Sequence, residues 1–166
     1  SPMEIDSKAD VMARLESIRS QGAVLMGLAE TAEDATKTSP SSPFVGMVAA
    51  PQDAETLSGE NISAVDADLT ARIVSSGNTH RALPLTGALC CATAARIDGS
   101  IVHRHTRAAA RAANDSDSDL RIMQPSGILP VACTVTNTDA GWVAERAGVT
   151  RTQRRLFEGR VLIPGS

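Results

Sequence analysis

Aromatic side chains are almost missing: the 166 residues include one Trp, two Phe and no Tyr, 2% of the chain. So few rings exclude stacking platforms as the main way of holding bases or sugars, and leave aliphatic side chains and Ala to fill the interior. Cysteine is scarce too. Cys90 and Cys91 are neighbours and Cys133 stands apart, which provides neither a zinc-ligand spacing nor a disulfide framework. The adjacent pair reads as small residues of an apolar run in a reducing, cytoplasmic setting. No lysine-rich tract occurs and the net charge is -3, which argues against non-specific nucleic-acid binding. No apolar run approaches the roughly 18 residues of a spanning helix. The opening Ser1-Pro2-Met3-Glu4 lacks a signal peptide's basic-then-apolar order. The expectation is a soluble protein without membrane or nucleic-acid partners.

What is present is a chain 42% hydrophobic, of a length suited to about one domain. Val11, Leu15 and Ile18 recur at helical spacing, so the spacing predicts a helix over about 7–20, capped by Ser7 and Asp10 and closed by Gly22. Residues 29–43, AETAEDATKTSPSSP, are small and polar and read as a mobile loop. Phe44 to Ala50 reads as a buried strand, and Leu69, Ala71 and Ile73 alternate with polar residues as one face of a second. Pro84 to Ile97 carries no charge before Arg96, which suits a helix buried on every side. Ile101 and Val102 read as the start of a strand, followed by an exposed connection over 104–119 with a helical turn or two. Leu120 to Met123, Ile128 to Thr136, Trp142 to Val149 and Arg160 to Ile163 complete the strands. The fold class expected is α+β: a curved, mostly antiparallel sheet around one central apolar helix at about 84–97.

Two places could carry chemistry. At the helix start, Thr86 and Gly87 follow Pro84, and the first N–H groups of a helix, at the positive end of its dipole, suit an anion. Thr86 could instead cap the helix, and Gly87 could merely allow close packing. His80 and Arg81, just before, would add a titratable group and a fixed charge. The second place is the turn Gln124-Pro125-Ser126-Gly127, where Ser126 could offer its hydroxyl to an oxyanion. No GxSxG surrounds Ser126, so hydrolysis is disfavoured. His103 and His105 would share a face on a strand, but no third ligand is near, and no metal is expected. Arg146, Arg151, Arg154 and Arg155 read as a solvated cluster, or as a source of one carboxylate-binding fork.

HRALPLTGALC at 80–90, PSG at 125–127 and TRTQRRLFEGRVLIP at 150–164, in that order, resemble the second half of the 2-methylaconitate isomerase (PrpF-like) family. The resemblance implies a diaminopimelate epimerase-like fold of two related domains, each a sheet around a helix, with the active site between them. It implies that residues 1–43 belong to the inter-domain region, that 44–166 form the C-terminal domain, and that the N-terminal domain is absent. It also implies a cofactor-independent isomerase that moves or isomerises the double bond of an aconitate-like polycarboxylate by proton abstraction and return. Thr86, Gly87, Ser126 and Gly127 would then line the substrate cleft, with Ser126 and His80 as catalytic candidates. The chain departs from the family's pattern at Gln124, where a histidine commonly stands, and at Ser76, where methionine is usual. The expected partner is an N-terminal domain or a second copy. The alternative is a non-catalytic domain that binds carboxylates.

Overall fold

The structure is a computed structural model that describes residues 1–112, 119–150 and 155–160. Three helices open the chain: α1 (Pro2–Asp6), α2 (Ala9–Leu25) and α3 (Ala32–Thr38). Strands β1 (Val45–Ala49), β2 (Ala54–Glu55), β3 (Asn61–Ile62), β4 (Leu69–Ser75) and β5 (Asn78–Thr79) follow. Then come α4 (Leu85–Arg96), α5 (Ile101–His105) and α6 (Ala108–Ala112), and the strands β6 (Leu120–Gln124), β7 (Gly127–Thr138) and β8 (Gly141–Gly148).

The main sheet runs β1-β4-β6-β7-β8, with β5 added on β4. Every pairing is antiparallel except β4 with β6, where Leu69 faces Ile122 in parallel register. The expected strand alternation holds: Leu69, Ala71 and Ile73 turn to the core, where they meet Leu120, Ile122, Val131, Cys133 and Val135 of neighbouring strands. Ala88, Cys91, Ala92 and Ala95 of α4 close the same cluster, so the sheet curls around the helix. Ala along that face lets strands approach a helix closely, which compensates for the missing aromatics.

Several local expectations need correction. The first helix divides in two: Ser1 caps α1 reciprocally with Glu4, and α2 starts at Lys8 without a side-chain cap, so Ser7 and Asp10 do not share that task. α2 also continues past Gly22 to Leu25. The stretch read as a mobile loop contains α3, which Thr31 caps by accepting from the Asp34 N–H, and a second cause lies outside it. Arg19, 2% exposed, donates to the main-chain oxygens of Ala35, Ser39 and Ser42 and to both oxygens of Glu16. A guanidinium has five N–H donors and here all are used, so an arginine supplies the order that the segment's own apolar surface could not. α4 is not buried all round, because Leu85, Thr86 and Cys90 face outward. Residues 101–105 form a helix rather than a strand, with Ser100 accepting from the His103 N–H. The strand expected at 160–163 lies mostly outside the described residues.

A second anchor holds the parallel pair. Asp68, buried just before β4, receives two bonds from the Arg121 guanidinium, at 2.7 and 3.0 Å, and one from the Arg121 N–H at 2.9 Å. Burial pushes the Asp68 carboxyl up, but these bonds and the charges of Arg121 and Arg107 outweigh it and hold the group below its ordinary value.

Candidate active site

The start of α4 is uncapped: Pro84 occupies the N-cap position and offers no side-chain acceptor. The first intrahelical bond runs from the Ala88 N–H to the Pro84 oxygen at 2.9 Å, so the N–H groups of Leu85, Thr86 and Gly87 have no acceptor within the helix. Thr86 is exposed and lies past the cap position, which removes capping as its purpose. Gly87 is buried against β4, where an added Cβ would stand 3.3 Å from Ile73 Cγ1. Close packing is therefore one reason for glycine there.

The two sites expected from the sequence are joined. Ser126 Oγ donates to the Arg81 oxygen at 2.6 Å, and the Leu83 N–H donates to Gln124 Oε1 at 3.2 Å. These bonds tie the β6–β7 turn to the loop leading into α4, so the unmet helix N–H groups and the PSG turn belong to one end of the fold. Gly127, with φ of +129°, closes that turn. Gln124 was visible in the sequence only as a departure from a pattern. Its bridging role joins residues 41 apart, and no local signal reveals it.

One ring nitrogen of His80 is engaged. Its Nε2 and the Ser75 hydroxyl share a hydrogen bond at 2.6 Å, its N–H donates to the Ile73 oxygen, and its ring lies 5.7 Å from that of Phe44. Beside the helix start a largely apolar groove of about 400 Å³ runs along α4, lined by Phe44, Gly46, Ile73, Thr86, Gly87 and Cys90 among others. Cys91 lines it too, but burial, with the neighbouring Cys90 adding to the effect, pushes its thiol up to about 11. That thiol is a poor base at neutral pH.

Among the described residues no group of three His, Cys, Asp or Glu is placed to hold a metal. His103 and His105 lie two apart on α5, so the shared face a strand would have provided is lost. Arg146 lies on β8, and Arg155 pairs with Glu158 at 2.7 Å. Arg151 and Arg154 lie outside the described residues.

A curled, mostly antiparallel sheet around one apolar helix, with the helix start met by a hairpin turn, defines the class: this is the diaminopimelate epimerase-like fold. The chain belongs to the PrpF family, for residues 2–164 match the family described as PrpF protein. It is 35% identical to the 3-methylitaconate isomerase of Eubacterium barkeri over 98% of this chain and 41% of that one. It is 33% identical to the 2-methyl-aconitate isomerase of Cupriavidus necator, over 97% of this chain and 39% of the relative. The crystal structure of a methylitaconate-delta-isomerase superposes with a TM-score of 0.80 at 35% identity, covering 96% of this chain and 39% of that one. The chain thus spans about two fifths of the length of the relatives it matches.

Proposed function

We propose that this chain is the substrate-holding half of a cofactor-independent isomerase that moves or isomerises the double bond of a small methylaconitate- or methylitaconate-like polycarboxylate. The observation that carries this reading is the uncapped start of α4, joined through Arg81 and Leu83 to the PSG turn. Proton abstraction next to a carboxylate leaves charge that spreads onto the carboxylate oxygens, and fixed N–H donors stabilise it without reorganising. The main-chain N–H groups of Thr86, Gly87, Ser126 and Gly127 are assigned to that cradle, because the Ser126 hydroxyl hydrogen, expected to serve an oxyanion, is spent on the Arg81 oxygen. The proton must leave one carbon and arrive at another, which needs an acid/base group. His80 shares its Nε2 with Ser75 and stays the acid/base candidate of this half, while the Cys91 thiol is protonated at neutral pH; the second acid/base group is assigned to a partner domain.

The protonated Cys91 thiol, which leaves this half poor in groups ready to take a proton, favours a second reading, a domain that binds carboxylates without catalysis. Two measurements separate the readings. Titration of the ¹⁵N-labelled chain with trans-aconitate should shift the amides of Thr86, Gly87, Ser126 and Gly127. Silence at millimolar ligand removes both readings. Proton NMR of 3-methylitaconate with the chain alone should show no turnover, and fast isomerisation would refute the incomplete site. Turnover that appears only when an N-terminal PrpF-family domain is supplied supports the first reading; binding without turnover under that condition supports the second.

A further inference from the structure

Gln124 is 9% exposed and ends β6 with half of its carboxamide committed, since Oε1 accepts the Leu83 N–H at 3.2 Å. A backbone N–H bonds only to an acceptor, so the oxygen must face Leu83 and the amide's orientation is set. Its two Nε2 N–H donors therefore turn away from the loop main chain. Among the described residues none accepts from that nitrogen. Nor does Nε2 belong with the buried side-chain nitrogens sealed from solvent. A largely buried carboxamide whose oxygen is spent and whose nitrogen is reached by solvent offers two directed donors to water, or to a ligand that displaces it.

The surroundings define that acceptor. Leu83 stands two residues before α4, whose first N–H groups also lack helical acceptors. Residues 79–87 and 124–128 contain no Asp or Glu. The Asp6 carboxylate reaches this region and is engaged with the Thr79 N–H at 2.9 Å. Open donors with no acidic side chain among them suit an anionic ligand, and a neutral amide can hold a carboxylate without titrating itself.

We infer that the Gln124 carboxamide is a substrate-positioning donor that binds one carboxylate of the polycarboxylate held at the start of α4, an inference that rests on the proposed cradle. Its two ends have separable roles: the oxygen orders the loop and the nitrogen meets the ligand.

Two substitutions divide those roles. Gln124→Glu keeps an oxygen for the Leu83 N–H and loses both donors, while Gln124→Met removes every polar atom without adding charge. Trans-aconitate is titrated into the wild-type chain and each variant by calorimetry, with thermal unfolding followed in parallel. The expected result at pH 7.5 is affinity lowered about tenfold or more in both variants, the size of one hydrogen bond to a charged group. Gln124→Glu buries a charge at pH 7.5, so it should lose some stability and recover both stability and affinity as falling pH protonates it and restores a donor. Variants within twofold of wild type would overturn the inference and leave the proposed function standing; should Gln124→Met fail to fold, Gln124→Glu decides alone. A wild-type chain that binds no trans-aconitate removes the proposed cradle, and this inference with it.

Discussion

The Ser126 hydroxyl donates to the Arg81 main-chain oxygen at 2.6 Å, joining a hairpin turn to the entry of a helix 45 residues away. With the Gln124–Leu83 bond beside it, the turn is held to the entry of α4 by two bonds, so a ligand that touches both meets a preset geometry.

Replacing Ser126 by Ala should cost about 1 kcal/mol of stability in urea unfolding, the usual net value of one such bond. Amide exchange at Leu83 and Thr86 should also quicken. Unchanged exchange would mean that the turn does not order the helix entry.

Arg19→Met should have a larger effect. It leaves three main-chain oxygens without their donor and Glu16, 37% exposed, with only the Thr36 hydroxyl, and stripping buried acceptors of their partner costs about 1–3 kcal/mol. Hydrogen exchange should rise through α3 and residues 39–42 before the sheet unfolds. Equal protection of that segment in the variant would show that α3 is held by something else.

The Asp68 carboxyl lies below its ordinary value in the folded chain, so its contribution is complete above the unfolded carboxyl range, about pH 4, and is lost as pH falls through the lower folded value. Glu16, held down first by the Arg19 hydrogen bond, acts in the same direction. Stability measured against pH should therefore fall steeply on the acid side. Asp68→Asn should flatten that limb, and an unchanged slope would contradict the assignment.

Cysteine reactivity should be selective. Cys90 is exposed in the groove, while Cys91 and Cys133 are buried and burial pushes the Cys91 thiol up to about 11. Iodoacetamide at pH 7.5 should alkylate Cys90 alone in the native chain and all three cysteines after unfolding. Mass spectrometry of peptides distinguishes the outcomes, and early labelling of Cys91 would show that α4 opens readily.

Gly87→Ala tests the approach of helix to sheet. An alanine usually gains helix stability over glycine, by about 0.5–1 kcal/mol. Here the new Cβ would meet Ile73 at 3.3–3.4 Å, and Ile73 is itself buried, so net destabilisation is expected in thermal unfolding. A raised melting temperature would show that Ile73 can yield.

Much of the fold was legible because its core is periodic. The alternation of Leu69, Ala71 and Ile73 and the uncharged run after Pro84 correspond to β4 and α4, since burial acts on local pattern. α3 was missed although Thr31 caps it locally by accepting from the Asp34 N–H; the bonds from Arg19 that fix its far end come from another helix and leave no local signal. The strand reading of Ile101-Val102 failed for a similar reason: two β-branched residues suggest a strand, but the Ser100 cap and packing against α4 favour a helical turn. For the site, residue types marked Thr86, Gly87, Ser126 and Gly127, whereas the engagement of His80 by Ser75 depended on a bond that the chain pattern does not reveal.

The sequence by itself determined the class: an aliphatic core, one uncharged helix and ordered motifs that resemble a single family. Only the tertiary structure decided which polar groups are free to act. Periodicity reports which residues are buried, because burial depends on side-chain chemistry repeated along one element. Availability depends on partners that the pattern does not name, so His80 proved to share its Nε2 with Ser75, and the open donors at the start of α4 and on Gln124 emerged only when the turn and the helix met.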